Sequence, residues 1–336
     1  MENRIYLLTG AAGLLGSNVS RQLIDRGERV RTLVLDGDPA MKYVPDEAEI
    51  IKGDLLDLDS LERFFSVEEG TEIIVIHSAS IVTLNPNPNR KVHAVNVDGT
   101  QNIINMCLKY NAKKLVYISS TGAIPEKPGN QPIREVTRFD PSAVVGYYSV
   151  TKAEATQLVL DAVAQYPKLD ASIVHPSGIC GPNDYAFGPV SSFLIQYVKG
   201  EMKAGIEGTF NSVDVRDLAD GVISCCDKGR RGECYIMGNC LVSMKDMFEI
   251  VNHAAGLDYK PSILSVPVAR LLAKIMGVVS RITGKPAMLT NFAIYNLARN
   301  NNFNYDKAIK ELGYKVRPFE ETISDEIRWL KAEGKI

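Results

Sequence analysis

The sequence has few of the residues that hold metals or disulfides, and none of them in a useful pattern. Six cysteines are scattered along 336 residues without a CxxC pair, and Cys225 and Cys226 are neighbours. Adjacent cysteines make poor disulfide partners and poor zinc ligands, so a reduced, cytoplasmic setting is expected. The four histidines show no HExxH or other ligand spacing, and no metal site is expected. Neither sign of charge dominates: 38 Lys and Arg stand against 40 Asp and Glu. That balance provides no broad field for nucleic acid. No run of about 18 apolar residues exists, so no membrane-spanning helix is expected. The first residues run straight into an apolar pattern, without the features of a secretory leader. Internal repeats and low-complexity tracts are missing, and one long stretch, Tyr259 to Tyr305, contains no acid.

What remains is a chain with 45% hydrophobic residues, enough for a large core. Its first half alternates short apolar runs with helical patterns. Ile5–Leu8, Val30–Leu35, Glu49–Lys52, Ile73–His77, Leu115–Ser119 and Ala171–His175 read as strands. Their near-continuous apolarity predicts burial on both faces, as in a parallel sheet. A helix with Leu15, Val19 and Leu23 on one face follows the first strand and closes at Gly27. Others are expected over Val92–Lys109 and from Tyr148 onward. The alternation predicts an α/β fold, a Rossmann-type doubly wound parallel sheet. After Pro176 glycine and proline punctuate loops, further strands are expected at Ser212–Val215 and Cys234–Met237, and helices dominate from about Met244. Residues 1–175, with 212–239 returning, therefore read as a dinucleotide-binding domain. Residues 176–211 and 240–336 read as a smaller, mostly helical substrate-binding cap.

The first strand ends in Thr9-Gly10-Ala11-Ala12-Gly13-Leu14-Leu15-Gly16. Glycine at 10 permits a tight turn, at 13 lets the backbone approach a pyrophosphate, and at 16 lets the helix pack closely on the strand. The N–H groups that open the helix then face the phosphates. Asp36 lies 20 residues past Gly16, the spacing expected for a carboxylate that binds the ribose hydroxyls. It also begins the turn Asp36-Gly37-Asp38-Pro39, a purely local alternative. No Arg follows the strand, which tips the reading towards NAD(H) over NADP(H).

Tyr148-Ser149-Val150-Thr151-Lys152 places a phenol and an ammonium at i and i+4, on one face of a helix. A phenol ordinarily holds its proton to about pH 10. A nearby ammonium is expected to favour the phenolate, so Tyr148 can exchange a proton with a substrate oxygen while a hydride moves. Tyr147 is the local rival, but its i+4 partner, Thr151, carries no charge.

The glycine turn and YxxxK together resemble the extended short-chain dehydrogenase/reductase superfamily, which includes NAD-dependent epimerases and dehydratases. Gly53-Asp54-Leu55, Ile76-His77-Ser78-Ala79, Asn96-Val97-Asp98-Gly99-Thr100 and Ser119-Ser120-Thr121 agree with it, as do Pro176-Ser177-Gly178 and Val213-Asp214-Val215-Arg216-Asp217. The resemblance implies a third catalytic hydroxyl at Thr121, with Ser120 the alternative. It implies cofactor contacts from Gly10, Ala12, Gly13, Leu14, Leu15 and Gly16. Asp54 and Leu55 would lie by the adenine, and His77, Ser78, Ala79 and Ser80 by the ribose. Asn96 would hold the adjoining helix. Ser119, Tyr148 and Lys152 would also meet the cofactor, with Pro176, Ser177 and Gly178 beside the nicotinamide. A homodimer through the helices near 92–109 and 148–165 is implied too. The chain departs from the pattern where Val34 replaces the usual acid, Leu35 replaces the Arg of NADP-using relatives, and His175 stands where Arg is frequent.

Gly122-Ala123 follows Thr121 where dehydratases of this type carry an acid pair, which argues against elimination. The chain is most similar to the 3β-hydroxysteroid dehydrogenase and dihydroflavonol reductase branch, which implies oxidation or reduction on a hydrophobic ring. A sugar-nucleotide epimerase is the alternative, and a dinucleotide-sensing protein without turnover is a third. Within the acid-free stretch, Val266 to Thr283 reads as an amphipathic helix. Its Arg270, Lys274, Arg281 and Lys285 stripe spans about 60° at about 100° per residue. Such a stripe beside an apolar surface suits peripheral contact with an anionic membrane through 266–285, or a cap helix with one solvated face.

Overall fold

The computed structural model describes residues 3–283 and 291–336, with the side chains of 277–283 outside the description. Seven parallel strands form the central sheet. In chain order the first half runs β1 (Arg4–Thr9), α1 (Leu14–Asp25), β2 (Arg29–Val34), β3 (Glu49–Lys52), α2 (Leu58–Phe65) and β4 (Glu72–His77). It continues through α3 (Arg90–His93), α4 (Gly99–Lys109), β5 (Lys114–Ile118), α5 (Tyr147–Gln165) and β6 (Ala171–Pro176). Then come β7 (Gly178–Cys180), α6 (Pro189–Val198), β8 (Ala204–Ile206), β9 (Thr209–Asp214), α7 (Val215–Lys228) and β10 (Cys234–Met237). The chain closes with β11 (Leu241–Ser243), α8 (Met244–Ala255), β12 (Ser262–Leu264), α9 (Val266–Thr283), α10 (Asn291–Ala298), α11 (Asp306–Leu312) and α12 (Phe319–Ala332).

The sheet order is β10-β6-β5-β4-β1-β2-β3, so the winding reverses between β1 and β4. Successive residues of each strand feed two cores. On β1, Ile5 and Leu7 join the core under α2, α4 and α5, while Tyr6 and Leu8 join the one under α1, α7 and α11. This two-sided burial explains the unbroken apolar runs, because neither face meets water. It is the doubly wound, Rossmann-type arrangement expected from the sequence.

The residues after Pro176 build smaller layers. Strands β11-β9-β7 form a separate sheet, and β12 pairs with β8. The strand expected at Ser212–Val215 thus begins earlier, at Thr209, and leaves the main sheet; β10 alone returns to it, beside β6. Helices α6, α8 and α12 enclose a third core around Tyr197, Met247, Phe248, Ile323 and Ile327.

The helix expected over Val92–Lys109 carries one wide π turn at Ala94–Asp98. Asn96 sits in that turn, and its amide binds both backbone groups of Ile81, accepting from N at 2.7 Å and donating to O at 3.0 Å. Wide turns of this sort gather at functional sites, since they re-aim one side chain.

Candidate active site

Because β1, β4, β5 and β6 are parallel, their carboxyl ends share one edge. The crevice of a doubly wound sheet lies there, at the reversal between β1 and β4. The turn after β1 is closed by Gly13 N–H donating to Gly10 O at 3.1 Å. Gly10 has φ +78°, and a Cβ there would stand 2.7 Å from Ala79 N. A Cβ on Gly16 would lie 2.1 Å from Gly10 O. Both glycines are therefore demanded by backbone contact. No side chain caps α1 at Gly13, so its opening N–H groups have no side-chain acceptor from that position. The turn is a cradle that a side chain would fill, and it suits a diphosphate.

Asp36 lies beyond the end of β2, exposed, and its Oδ1 stands 3.0 Å from Lys52 Nζ. That ammonium holds the Asp36 carboxyl below the ordinary carboxylate range. Asp54 is half-buried and takes Leu56 N–H at 2.9 Å, while Leu55 is buried against Gly99.

The segment after β4 is held from below. His77 is buried, with Nδ1 2.7 Å from Thr9 Oγ1 and Nε2 3.1 Å from Thr100 Oγ1. Thr100 already donates to Asn96 O at 2.7 Å, so it accepts from His77 Nε2–H, and Thr9 donates to Nδ1. Burial pushes the His77 imidazole down to about 3, which keeps it neutral. Its ring is thus committed within the protein, and Ser78, Ala79 and Ser80, which follow it, are half-buried. Asn96 Nδ2 also donates to Thr151 Oγ1 at 3.1 Å, and Thr151 donates to Tyr148 O at 2.9 Å. One chain of hydrogen bonds therefore links the loop after β4 to the helix carrying Tyr148. The parts played by Thr9, Thr100 and Thr151 were not read from the sequence. Isolated threonines carry no periodic signal.

Tyr148 and Lys152 occupy the first turns of α5 as their spacing requires. Lys152 is buried; its Nζ donates to Ile118 O at 2.7 Å and stands 5.0 Å over the Tyr117 ring. Burial pushes this ammonium down to about 7. Burial also pushes the Tyr148 phenol up to about 12, opposed by hydrogen bonds with the hydroxyls of Ser80 and Ser120. Lys152, expected from the sequence to favour the phenolate, donates to the Ile118 carbonyl.

Thr121 is buried and opens a 3-10 turn, Thr121–Ala123, that Ser120 caps through Gly122 N at 3.0 Å. Ser119 faces α5 instead, 2.6 Å from Thr156 Oγ1. Pro176 ends β6, Gly178 is exposed, and Ser177 Oγ is buried without a hydrogen-bond partner among the described residues. A lone buried hydroxyl beside a strand end suits an amide-bearing ligand. The glycine cradle and this orphan together fit a nicotinamide dinucleotide.

The rim is apolar. Val82 and Leu84, after β4, and Val145, just before α5, are all exposed. Gly146 has φ +91°, and a Cβ there would come 2.3 Å from Phe292 Cε2 of α10. A cap aromatic thus rests on the residue that starts the Tyr148 helix.

Helix α9 packs inward through Ala269 and Ala273. It leaves Leu271 60% and Ile275 54% exposed, beside exposed Arg270 and Lys274. The Arg281 side chain and Lys285 lie outside the described residues. Among the described residues no helix is long and apolar enough to cross a membrane.

The fold and cradle define a dinucleotide-binding enzyme of the extended short-chain type. The NAD dependent epimerase/dehydratase family matches residues 6–238, and the chain belongs to that family. Relatives span its full length. It is 26% identical to sterol demethylase protein B of Methylococcus capsulatus, over 98% of this chain and 99% of that one. It is 28% identical to the sterol-4-alpha-carboxylate 3-dehydrogenase erg26, decarboxylating, of Schizosaccharomyces pombe, over 98% of each. The crystal structure of gox2253 superposes with a TM-score of 0.85 at 31% identity, covering 99% of both chains.

Proposed function

We propose that this enzyme interconverts a secondary alcohol and a ketone on a hydrophobic ring substrate, with Tyr148 as the group that moves the proton. One observation supports the reading: Tyr148 stands in the first turn of α5, one turn before the buried Lys152, whose ammonium is fixed on Ile118 O at the carboxyl end of β5. The bound nicotinamide would supply or accept the hydride. Tyr148 would give its proton to the carbonyl oxygen, or take one from the alcohol. Thr121 would hydrogen-bond the same oxygen. The buried Lys152 would hold the end of β5 and place positive charge beside the reacting groups. Ser177 Oγ would receive the nicotinamide amide. Gly10, Ala12, Gly13, Leu14, Leu15 and Gly16 would cradle the diphosphate.

Asp36 favours NAD(H), because a carboxylate repels a 2′-phosphate. The exposed apolar residues of α9, with Val82, Leu84 and Val145, favour uptake of an apolar substrate such as a sterol, with Arg270 and Lys274 resting on an anionic surface. The sterol-acting relatives support the same class.

Tyr148→Phe is expected to lower turnover by about 100-fold or more while dinucleotide affinity stays within about twofold. Absorbance at the reduced-nicotinamide band, with sterols and cyclic ketones as substrates, measures it. Parallel loss of affinity and rate contradicts the assigned role. Turnover of a sugar nucleotide alone, with no net change in cofactor, would replace this reading with epimerisation.

A further inference from the structure

The Lys152 ammonium is buried where no acid offsets its charge. Its Nζ donates to Ile118 O at 2.7 Å. Its charge reaches His77 on β4 and His175 on β6, imidazoles that burial pushes down to about 3 and about 4, so both are neutral. Tyr148, on the same helix, keeps its proton, its phenol pushed up to about 12. Helix α4 buries Thr100, Ile103, Ile104 and Cys107, and burial pushes that thiol up. The turn after β5 brings only Ser119, Ser120 and Thr121. Glu154, two residues on and so across the helix, pairs with His93 of α3 at 3.3 Å. An ammonium so placed tends to shed its proton, and burial pushes Lys152 down to about 7.

The remaining neighbour is a ring. Tyr117 precedes Ile118 on β5 and is buried in the core under α2, α4 and α5. Lys152 Nζ stands 5.0 Å over the centre of its ring. His77 backs the ring from the next strand. The two residues are register partners, with ring centroids 5.6 Å apart, and His77 is tied through both nitrogens to Thr9 and Thr100. An ammonium within about 6 Å of a ring face is drawn to its negative quadrupole, more strongly where water is excluded. In the sequence Tyr117 is one more apolar position of a buried strand, and nothing marks it.

We infer that Tyr117 is a positioning residue for Lys152: its ring face keeps the ammonium charged and seated on Ile118 O. It is buried and acts through the lysine. Without the ring a carbonyl alone would favour the charged form, and a larger share of the protein would carry a neutral amine near pH 7. The functional meaning rests on the reaction proposed above, since a neutral amine brings no positive charge to the reacting groups. The titration itself does not depend on that reaction.

Carbon-13 NMR of the full chain labelled at lysine Cε reads Lys152 directly, because that carbon shifts when the amine loses its proton. Ordinary lysines hold their protons to about pH 10.4, so the Lys152 signal moves at lower pH than theirs, and Lys152→Met assigns it. Tyr117→Leu deletes the ring. Its Lys152 midpoint is expected to fall by about half a pH unit or more, a roughly threefold stronger acid. Tyr117→Phe keeps the ring and removes only the hydroxyl, and its midpoint is expected to stay close to that of the unmodified chain. A merely packing role would lower the melting temperature of Tyr117→Leu and leave its midpoint in place. An unmoved or raised midpoint in Tyr117→Leu, or an equal fall in Tyr117→Phe, overturns the inference. Should Tyr117→Leu fail to fold, Tyr117→Met, whose unbranched side chain adapts to the space, replaces it with the same two outcomes. Persistent turnover by Tyr148→Phe would instead remove the proposed reaction and leave this titration standing.

Discussion

Glu326 offers a sharp test of how burial governs charge in the cap. It lies on α12, fully buried, with Ser191 of α6 and Asp184 packed around it. Ser191 Oγ is 2.6 Å from Asp184 Oδ2 and 2.7 Å from Glu326 Oε1. A serine hydroxyl has one proton and cannot donate to two carboxylates. One carboxyl must therefore be protonated. Asp184 already accepts from Gly188 N–H, and burial pushes Glu326 up to about 8 from an ordinary 4.5, with Asp184 and Asp214 adding repulsion. The proton belongs on Glu326. Its other oxygen accepts from Gly181 N–H at 2.8 Å, so the protonated acid is fully paired.

The sign follows from which state holds the proton. Between about 4.5 and 8 the folded protein binds it and the unfolded chain releases it. This contribution is complete below the lower value and is lost as pH rises through the upper one. The separation sets a ceiling of roughly 5 kcal/mol. Relaxation around a buried charge should leave about 2–4 kcal/mol. Glu326→Gln keeps both hydrogen bonds, with its amide donating to Ser191, and has nothing to ionise. Urea unfolding from about pH 5 to about pH 9 should show the unmodified protein losing that much more stability than the variant. Parallel decline of the two proteins would refute the placement of the proton.

Three further outcomes follow from the site. Gly16→Ala should abolish dinucleotide binding in a fluorescence titration and cost about 1–3 kcal/mol in stability, since its Cβ would meet Gly10 O at 2.1 Å; unchanged affinity would contradict the cradle. Asp36→Ala releases Lys52 from its 3.0 Å pair and should raise affinity for NADP(H) relative to NAD(H) by about tenfold, and an unchanged ratio removes Asp36 from cofactor choice. Leu271→Glu with Ile275→Glu should eliminate flotation with anionic vesicles and leave the melting temperature unaltered, both side chains being exposed. Retained flotation would exclude α9 as the docking face.

The main sheet was legible because its physics is local. Apolar runs such as Glu72–His77 and Lys114–Ile118 can only be buried on both faces, and the alternation with helices admits few topologies. The glycine turn was legible for a similar reason, since contacts of 2.7 Å and 2.1 Å leave room for no other residue. The short strands β7, β8, β11 and β12 went unread, because three residues carry too little pattern to register.

By itself, then, the sequence determined the fold, the cradle and the pairing of Tyr148 with Lys152 on one helical face. Tertiary structure decided what that pairing does. Lys152 turns to a carbonyl of β5, and burial pushes the phenol up. It decided likewise that α9 packs through Val266, Ala269 and Ala273 and leaves Val268, Leu271, Leu272 and Ile275 in water. The reason is common to both. Spacing along a chain fixes which residues share a face, but which neighbour that face meets depends on elements tens of residues away.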